Sequence, residues 1–204
     1  YTGEKMKPFR QWLSGNGFEA TASLAGSYYS DNIEDYYLTP WDLGYGSFVK
    51  FDHDFTGREA LETIAKNPRR RKVTLAWNGD DVTKIFKSMF EHGQDAFKTL
   101  DLPLTNYATL SYDKVTRNGR HIGFSTFSSY SYNERSMLSL GILDNEQAEV
   151  GTEVSLVWGE EGGGSSKPTV ERHRQIEIRA TVGPVPYARD ARETYAEGWR
   201  TGKK

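Results

Sequence analysis

The chain is 204 residues long and carries 26 Lys and Arg against 28 Asp and Glu, a formal net charge of −2. So even a balance leaves no electrostatic footprint for nucleic acid or an anionic membrane, and the absence of cysteine excludes a disulfide scaffold and any thiolate metal site. No apolar run approaches the roughly 20 residues of a membrane span. A soluble chain is expected, and aromatic residues at 13% are too abundant for a disordered one. It opens on Tyr1 rather than Met, without a signal-peptide pattern, which predicts a trimmed product or a piece of something longer.

In chain order, Lys5 to Leu13 is a weak helix candidate, with Pro8 tolerable only in its first turn. Ser27 to Gly46 follows, with Tyr28, Tyr29, Tyr36, Tyr37, Tyr45 and Trp41 set among acids and glycines and no sustained period. Such a stretch suits a wall that stacks on a flat ligand, or an aromatic loop that covers the core. Thr56-Gly57-Arg58-Glu59 has the capping-box form and opens a helix burying Ala60, Leu61, Ile64 and Ala65, ended by Asn67-Pro68. The basic run Arg69-Arg70-Arg71-Lys72 reads as solvated surface. Lys72 to Trp77 reads as a strand, Asn78-Gly79 as a turn, and Asp80 to Phe90 as a helix with Val82, Ile85, Phe86, Met89 and Phe90 on one stripe.

Beyond Asp101-Leu102-Pro103-Leu104 the period becomes two. Ala108, Leu110 and Tyr112 alternate with polar residues, and Asn118-Gly119 marks a tight hairpin whose return strand places Ile122, Phe124 and Thr126 on one side. Met137 to Leu143 and Glu149 to Trp158 are further strands, the second with Val154, Leu156 and Trp158 inward. Gly162-Gly163-Gly164-Ser165-Ser166 is a loop, read with its flanks from Gly159 to Lys167 as a hairpin tip. Ile176, Ile178, Ala180 and Val182 then alternate strictly, and Arg189 to Trp199 is a terminal helix. Strands at such spacing imply a small barrel or sandwich.

Motifs for common chemistries are absent. His53, His92, His121 and His173 form no i,i+4 pair, and Asp52-His53-Asp54 points in alternating directions, so no metal is expected. Gly159 to Lys167 lacks phosphate-loop spacing, and no G-x-S-x-G elbow occurs. Besides the aromatic stretch, Ser128 to Ser136 stands out as a hydroxyl-dense link in which Arg135 offers a carboxylate clamp or a surface ion pair.

These segments carry a resemblance. Leu38-Thr39-Pro40-Trp41-Asp42-Leu43-Gly44-Tyr45-Gly46, with Asp54-Phe55-Thr56-Gly57-Arg58-Glu59-Ala60-Leu61, resembles the signature of the glycine-cleavage T-protein superfamily, with Asp42 for the usual Glu and Thr56 for the usual Ile. Gly119, Gly123, Tyr130-Ser131 and Gly151-Thr152-Glu153-Val154 resemble its C-terminal barrel. Tyr36 to Asp42, Arg135 to Leu140 and Pro184-Val185-Pro186-Tyr187 are similar to the tetrahydrofolate-dependent aromatic O-demethylases.

The resemblance implies an α+β chain. Residues 1–102 would be the end of a folate-binding core and residues 103–204 an antiparallel β-barrel with a terminal helix. It implies a cytoplasmic enzyme that moves a methyl group from a methoxylated aromatic acid to tetrahydrofolate, without metal. An upstream part of the same protein would supply much of the pterin site and leave this piece inactive alone. Tyr28 and Tyr29 are the implied proton donors, with Tyr36 and Tyr37 as further candidates. Ser27, Tyr36 and Tyr37 would meet substrate, and Trp41, Asp42, Tyr130, Tyr132 and Arg135 would meet folate. Asp42 as a helix cap is the structural alternative. An amine or sulfonium donor, or a folate binder without catalysis, are the rival functions.

Overall fold

A computed structural model describes residues 4–12, 24–105, 110–164 and 170–195. Helices are α1 (Lys7–Trp12), α2 (Arg58–Lys66), α3 (Gly79–Ser88) and α4 (Arg189–Glu193). Strands are β1 (Leu24–Ala25), β2 (Arg70–Trp77), β3 (Leu110–Ser111), β4 (Asp113–Arg117), β5 (Arg120–Ser131), β6 (Ser136–Asp144), β7 (Glu153–Trp158) and β8 (Ile176–Gly183). Six of these close an antiparallel barrel in the order β2-β6-β5-β4-β7-β8. Among the described residues no helix is long and apolar enough to cross a membrane.

Alternation fills the barrel. Val73, Leu75 and Trp77 of β2, Val154, Leu156 and Trp158 of β7 and Ile178, Ala180 and Val182 of β8 belong to one buried cluster, joined by Ile85 from α3. The Trp77 and Trp158 rings meet edge to face at 5.5 Å. Their N–H groups cannot be left dry: Trp77 donates to Ser139 Oγ at 2.9 Å and Trp158 to the Lys98 carbonyl at 2.8 Å. Asn118 and Gly119, both at positive φ (51° and 75°), make the two-residue turn between Arg117 and Arg120, as the sequence predicts.

Several expectations are corrected. β2, read as part of the first hundred residues, is a barrel strand between β6 and β8, so the barrel draws on the chain from residue 70 rather than 103. Ile122 and Phe124 do not share a side. The β4–β5 pairing slips so that Val115 faces Gly123 and Thr116 faces His121, leaving Ile122 unmatched. The extra residue turns Ile122 into the barrel core and Phe124 out to a second cluster with Tyr112 and Ile142. The capping box at Thr56 does not form. Gly57, left-handed at φ 91°, is the N-cap without a side-chain bond, which moves Glu59 too close to the helix start to reach back, and Ala60 is exposed.

Asn78 is a cap rather than a turn residue: its Oδ1 accepts the Asp81 N–H at 3.1 Å. α3 ends at Ser88, so Phe90 projects into solvent. Ala108, Ser165, Ser166, Lys167, Leu13 and the end of the terminal helix at Trp199 lie outside the described residues.

Candidate functional site

The aromatic segment after β1 is laid across the outer face of the barrel. Its first turn is anchored by backbone bonds, Tyr28 N–H to the Tyr112 carbonyl at 3.0 Å and Tyr112 N–H to the Ala25 carbonyl at 2.8 Å. Ser27 locks the same place: its hydroxyl donates to the Val157 carbonyl at 2.6 Å and accepts the Lys114 N–H at 2.8 Å. Its own N–H donates to Asp113 Oδ1 at 3.3 Å. Asp113 is only 1% exposed, and burial, helped by the nearby Glu160 charge, pushes its carboxyl up to about 8.

Over Phe124 and Tyr112 stands a stack of rings. Tyr28 lies on His121 at 5.1 Å, 23° from parallel, and meets Tyr36 edge to face at 5.2 Å. Tyr36 in turn meets Tyr112 edge to face at 5.3 Å. Such edge-on contacts add to the gain from burying the rings. The Tyr36 hydroxyl accepts the Ser30 N–H at 3.0 Å. Tyr29 is 77% exposed and donates to Asp31 Oδ1 at 2.5 Å. Both Tyr28 and Tyr29 are held above the ordinary phenol range, Tyr28 by burial and Tyr29 by the bond to Asp31. Among the described residues, the Tyr28 hydroxyl has no hydrogen-bond partner.

Tyr28 stands between two clefts. The larger, about 660 Å³, runs along residues 24–31 to Ile33 and Tyr36 and is closed opposite by Glu160, Glu161 and Gly162. Buried His173 fixes that far wall by accepting the Glu160 N–H on Nε2 at 2.8 Å, while its Nδ1 faces the Glu171 carbonyl at 2.8 Å. Asp31, Glu160 and Glu161 line this cleft, and among the described residues no Lys, Arg or His does. The smaller cleft, about 330 Å³, has Arg69, Arg70, Arg120 and His121 on the barrel side and Glu34 and Asp35 opposite. A groove of about 740 Å³ at the Trp77 end of the barrel contains none of the candidates from the sequence.

The candidates fall into three places. Ser27, Tyr28, Tyr29 and Tyr36 line the larger cleft. Tyr37, Trp41 and Asp42 form a turn beside it and line neither cleft. Trp41 fits because residue 46 is glycine, where a Cβ would stand 2.5 Å from the indole. Asp42, 2% exposed, closes a turn rather than capping a helix, since no helix directly follows Pro40: its Oδ2 accepts the Thr39 N–H at 2.9 Å, and its N–H donates to Thr39 Oγ1 at 3.2 Å.

Tyr130, Tyr132 and Arg135 belong to the far end of β5 and the turn after it. That is roughly 30 Å along the strand from the His121 end, so the structure does not bring them to the tyrosine wall. Tyr130 packs on the barrel core and donates its N–H to Pro103, while Tyr132 is 83% exposed.

The residue missed by sequence reading is Arg70. Read as solvated surface, it is only 18% exposed in its side chain and pairs with Asp42 at 3.4 Å. Strand alternation carries the signal. Val73, Leu75 and Trp77 point into the barrel, so Arg70 and Lys72 point out, under the aromatic segment. Among the described residues no group of three or more His, Asp or Glu side chains could hold a metal ion.

Comparison with known proteins decides the relationship. Over 201 residues the chain is 49% identical to the syringate O-demethylase of Sphingobium sp. (strain NBRC 103272 / SYK-6), covering 98% of this chain and 43% of that one. This chain is a relative of that enzyme. It is also 37% identical over 166 residues to a sesamin methylene transferase of Sinomonas sp. (strain No.22), covering 76% of this chain and 34% of the relative. It therefore spans less than half the length of either curated relative. No family model matches. A glycine cleavage system aminomethyltransferase T from Bartonella henselae overlays with a TM-score of 0.44 at 18% identity, over 74% of this chain and 32% of that one, too distant to carry an argument.

Proposed function

We propose that this chain is the C-terminal part of a tetrahydrofolate-dependent aromatic O-demethylase, and that the larger cleft is its share of the active site. The observation that carries the reading is the 49% identity along 98% of the chain, a span that includes every ring of the tyrosine wall. In the reaction a methyl–oxygen bond of an aryl methyl ether breaks as a bond forms from that carbon to N5 of the reduced pterin. The ether oxygen leaves as a phenol once protonated, and N5 gives up its proton. Tetrahydrofolate supplies the nucleophile. The chain supplies orientation and a proton at the ether oxygen.

Tyr28 fits the donor role best. Its phenol stays protonated at neutral pH, lines the cleft, and has no competing partner among the described residues. Tyr29, tied to Asp31, is the second donor candidate and would hold substrate by its exposed ring. The acid-rich wall suits a pterin: Glu160 and Glu161 are acceptors facing a ring-lined space, and the amino and N–H edge of a reduced pterin is a row of donors. Tyr36 lines the cleft beside Tyr28 and would meet substrate there. Trp41 and Asp42 support the wall. Tyr132 and Arg135 would touch only a ligand held by another part of the protein.

The test is methyl transfer by the full-length protein, followed as methyltetrahydrofolate and free phenol, with syringate, vanillate, a methylenedioxy-arene and dimethylsulfoniopropionate as donors. Syringate turnover with a Tyr28→Phe loss of about 100-fold in kcat is expected. No turnover of any aryl ether overturns the reading. The similarity to the sesamin methylene transferase makes the methylenedioxy donor the second choice.

A further inference from the structure

We propose that Arg70 is a positioning residue, a latch from the barrel wall that sets where the Tyr36 ring holds Tyr28 in the larger cleft. The catalytic half of this proposal rests on the function proposed above; the structural half does not.

Three contacts make the latch. Arg70 Nη2 donates to the Tyr37 carbonyl at 3.0 Å and to Asp42 Oδ2 at 3.4 Å, so one nitrogen joins both ends of the 37–42 turn. The guanidinium stands 5.5 Å from the centre of the Phe124 ring, which itself lies 5.5 Å from Tyr28 and 5.0 Å from Tyr112. Asp42 passes the grip on by accepting the Thr39 N–H. Tyr36 is thus held at two points, by Ser30 N–H at its hydroxyl and by Arg70 at the residue that follows it.

This arrangement carries a penalty that stability alone does not explain. Arg70 Nε is buried with no hydrogen-bond partner, a donor folding normally leaves in water or pairs. A lysine there would keep the ion pair with Asp42 and have no such orphan. What it lacks is the rigid planar fork that can lie over a ring and reach a carbonyl and a carboxylate together. The geometry therefore favours arginine for placement over stability. The flanking cations point the same way. Lys72, next on the outer face, lies over the Tyr45 ring at 5.2 Å, while Arg69 reaches only to 3.9 Å from Asp144 and does not share the turn.

The test uses Arg70→Lys and Arg70→Met in the full-length protein, with amide hydrogen exchange as the first readout. In Arg70→Lys the Ser30 and Thr39 amides should exchange at least about tenfold faster, while Leu75 and Ala76 in β2 keep their protection and the melting temperature holds. Unchanged exchange at Ser30 and Thr39 in both variants overturns the latch. If Arg70→Met does not fold, Asp42→Asn serves as the second variant, and the same two amides should loosen there. In the full-length protein Arg70→Lys should lower kcat about tenfold with KM for syringate held within about twofold. Faster exchange with unchanged kcat overturns the link to catalysis. A wild-type protein inert toward aryl ethers would overturn the function proposed above, with exchange alone still deciding the latch.

Discussion

Leu75, Leu156 and Ile178 are wholly buried in a barrel core assembled from strands whose apolar residues alternate, whereas residues 24–46 cross the outside of that barrel on rings and a small set of polar bonds. The barrel is held by area removed from water, a term spread over many side chains. The overlying segment depends on particular atoms: Ser27 Oγ, the Asp42 carboxylate, the Tyr36 hydroxyl and one guanidinium. Damage to the barrel should therefore be graded by lost volume, and damage to the overlay by which bond is cut. The larger cleft is lined mainly by the overlying segment, so its shape depends on those individual bonds.

The largest effect should come from the barrel. Trp158→Ala removes one of the largest fully buried side chains together with its hydrogen bond to the Lys98 carbonyl, and is expected to cost about 3–5 kcal/mol in urea unfolding. The overlay should be lost in the same transition. If residues 24–46 kept their exchange protection while the barrel melted, the dependence argued here would be reversed.

Acid and base should separate the regions next. Asp81 lies within the Arg179 and Lys84 charges, at 2.8 and 2.7 Å, which holds its carboxyl well below the usual range. Its stabilisation is present above about pH 4 and is lost as pH falls through the depressed folded value; Asp81→Asn should remove roughly 2 kcal/mol at pH 7 and flatten the acid limb. Asp113 has the opposite sign. With its folded value raised to about 8, the native state holds a proton the unfolded chain gives up near pH 4. Stability from this group is full below about pH 4 and falls as pH rises to about 8, so Asp113→Asn should gain on wild type across that interval. Melting curves from pH 3 to 9 for both variants check this, and parallel profiles would contradict it.

The smallest effect should be confined to the overlay. Thr39→Ala removes one half of the reciprocal bonding with Asp42 and should cost about 1 kcal/mol locally. It should be visible as faster exchange at Leu43 and Gly44, whose N–H groups bond to the Thr39 and Trp41 carbonyls, without a shift of the barrel midpoint.

The same contrast explains what could be read in advance. Val154, Leu156 and Trp158, the Asn118-Gly119 turn and the alternation of β8 depend on neighbours in sequence, and they were legible. The place of β2 was not, because its partners begin more than sixty residues later, with Ala76 on Leu138. Nor was the slip at Ile122, since a bulge keeps the composition of a strand and changes only its phase. Four site candidates met at one cleft because they are close in the chain. Tyr130, Tyr132 and Arg135 were assigned to folate by the resemblance alone, and the length of β5 separates them from that cleft. Arg70 was hidden in a run of four cations, distinguishable only once the strand began at residue 70 rather than 72.

The most direct measurement is a crystal structure of the full-length protein with syringate and tetrahydrofolate. The account predicts the arene beside Tyr28 and Tyr29, with its methoxy oxygen within about 3.5 Å of a tyrosine hydroxyl and the pterin edge turned toward Glu160 and Glu161. An arene bound at the Tyr132–Arg135 turn or in the groove beside Trp77, with the tyrosine wall empty, would contradict it.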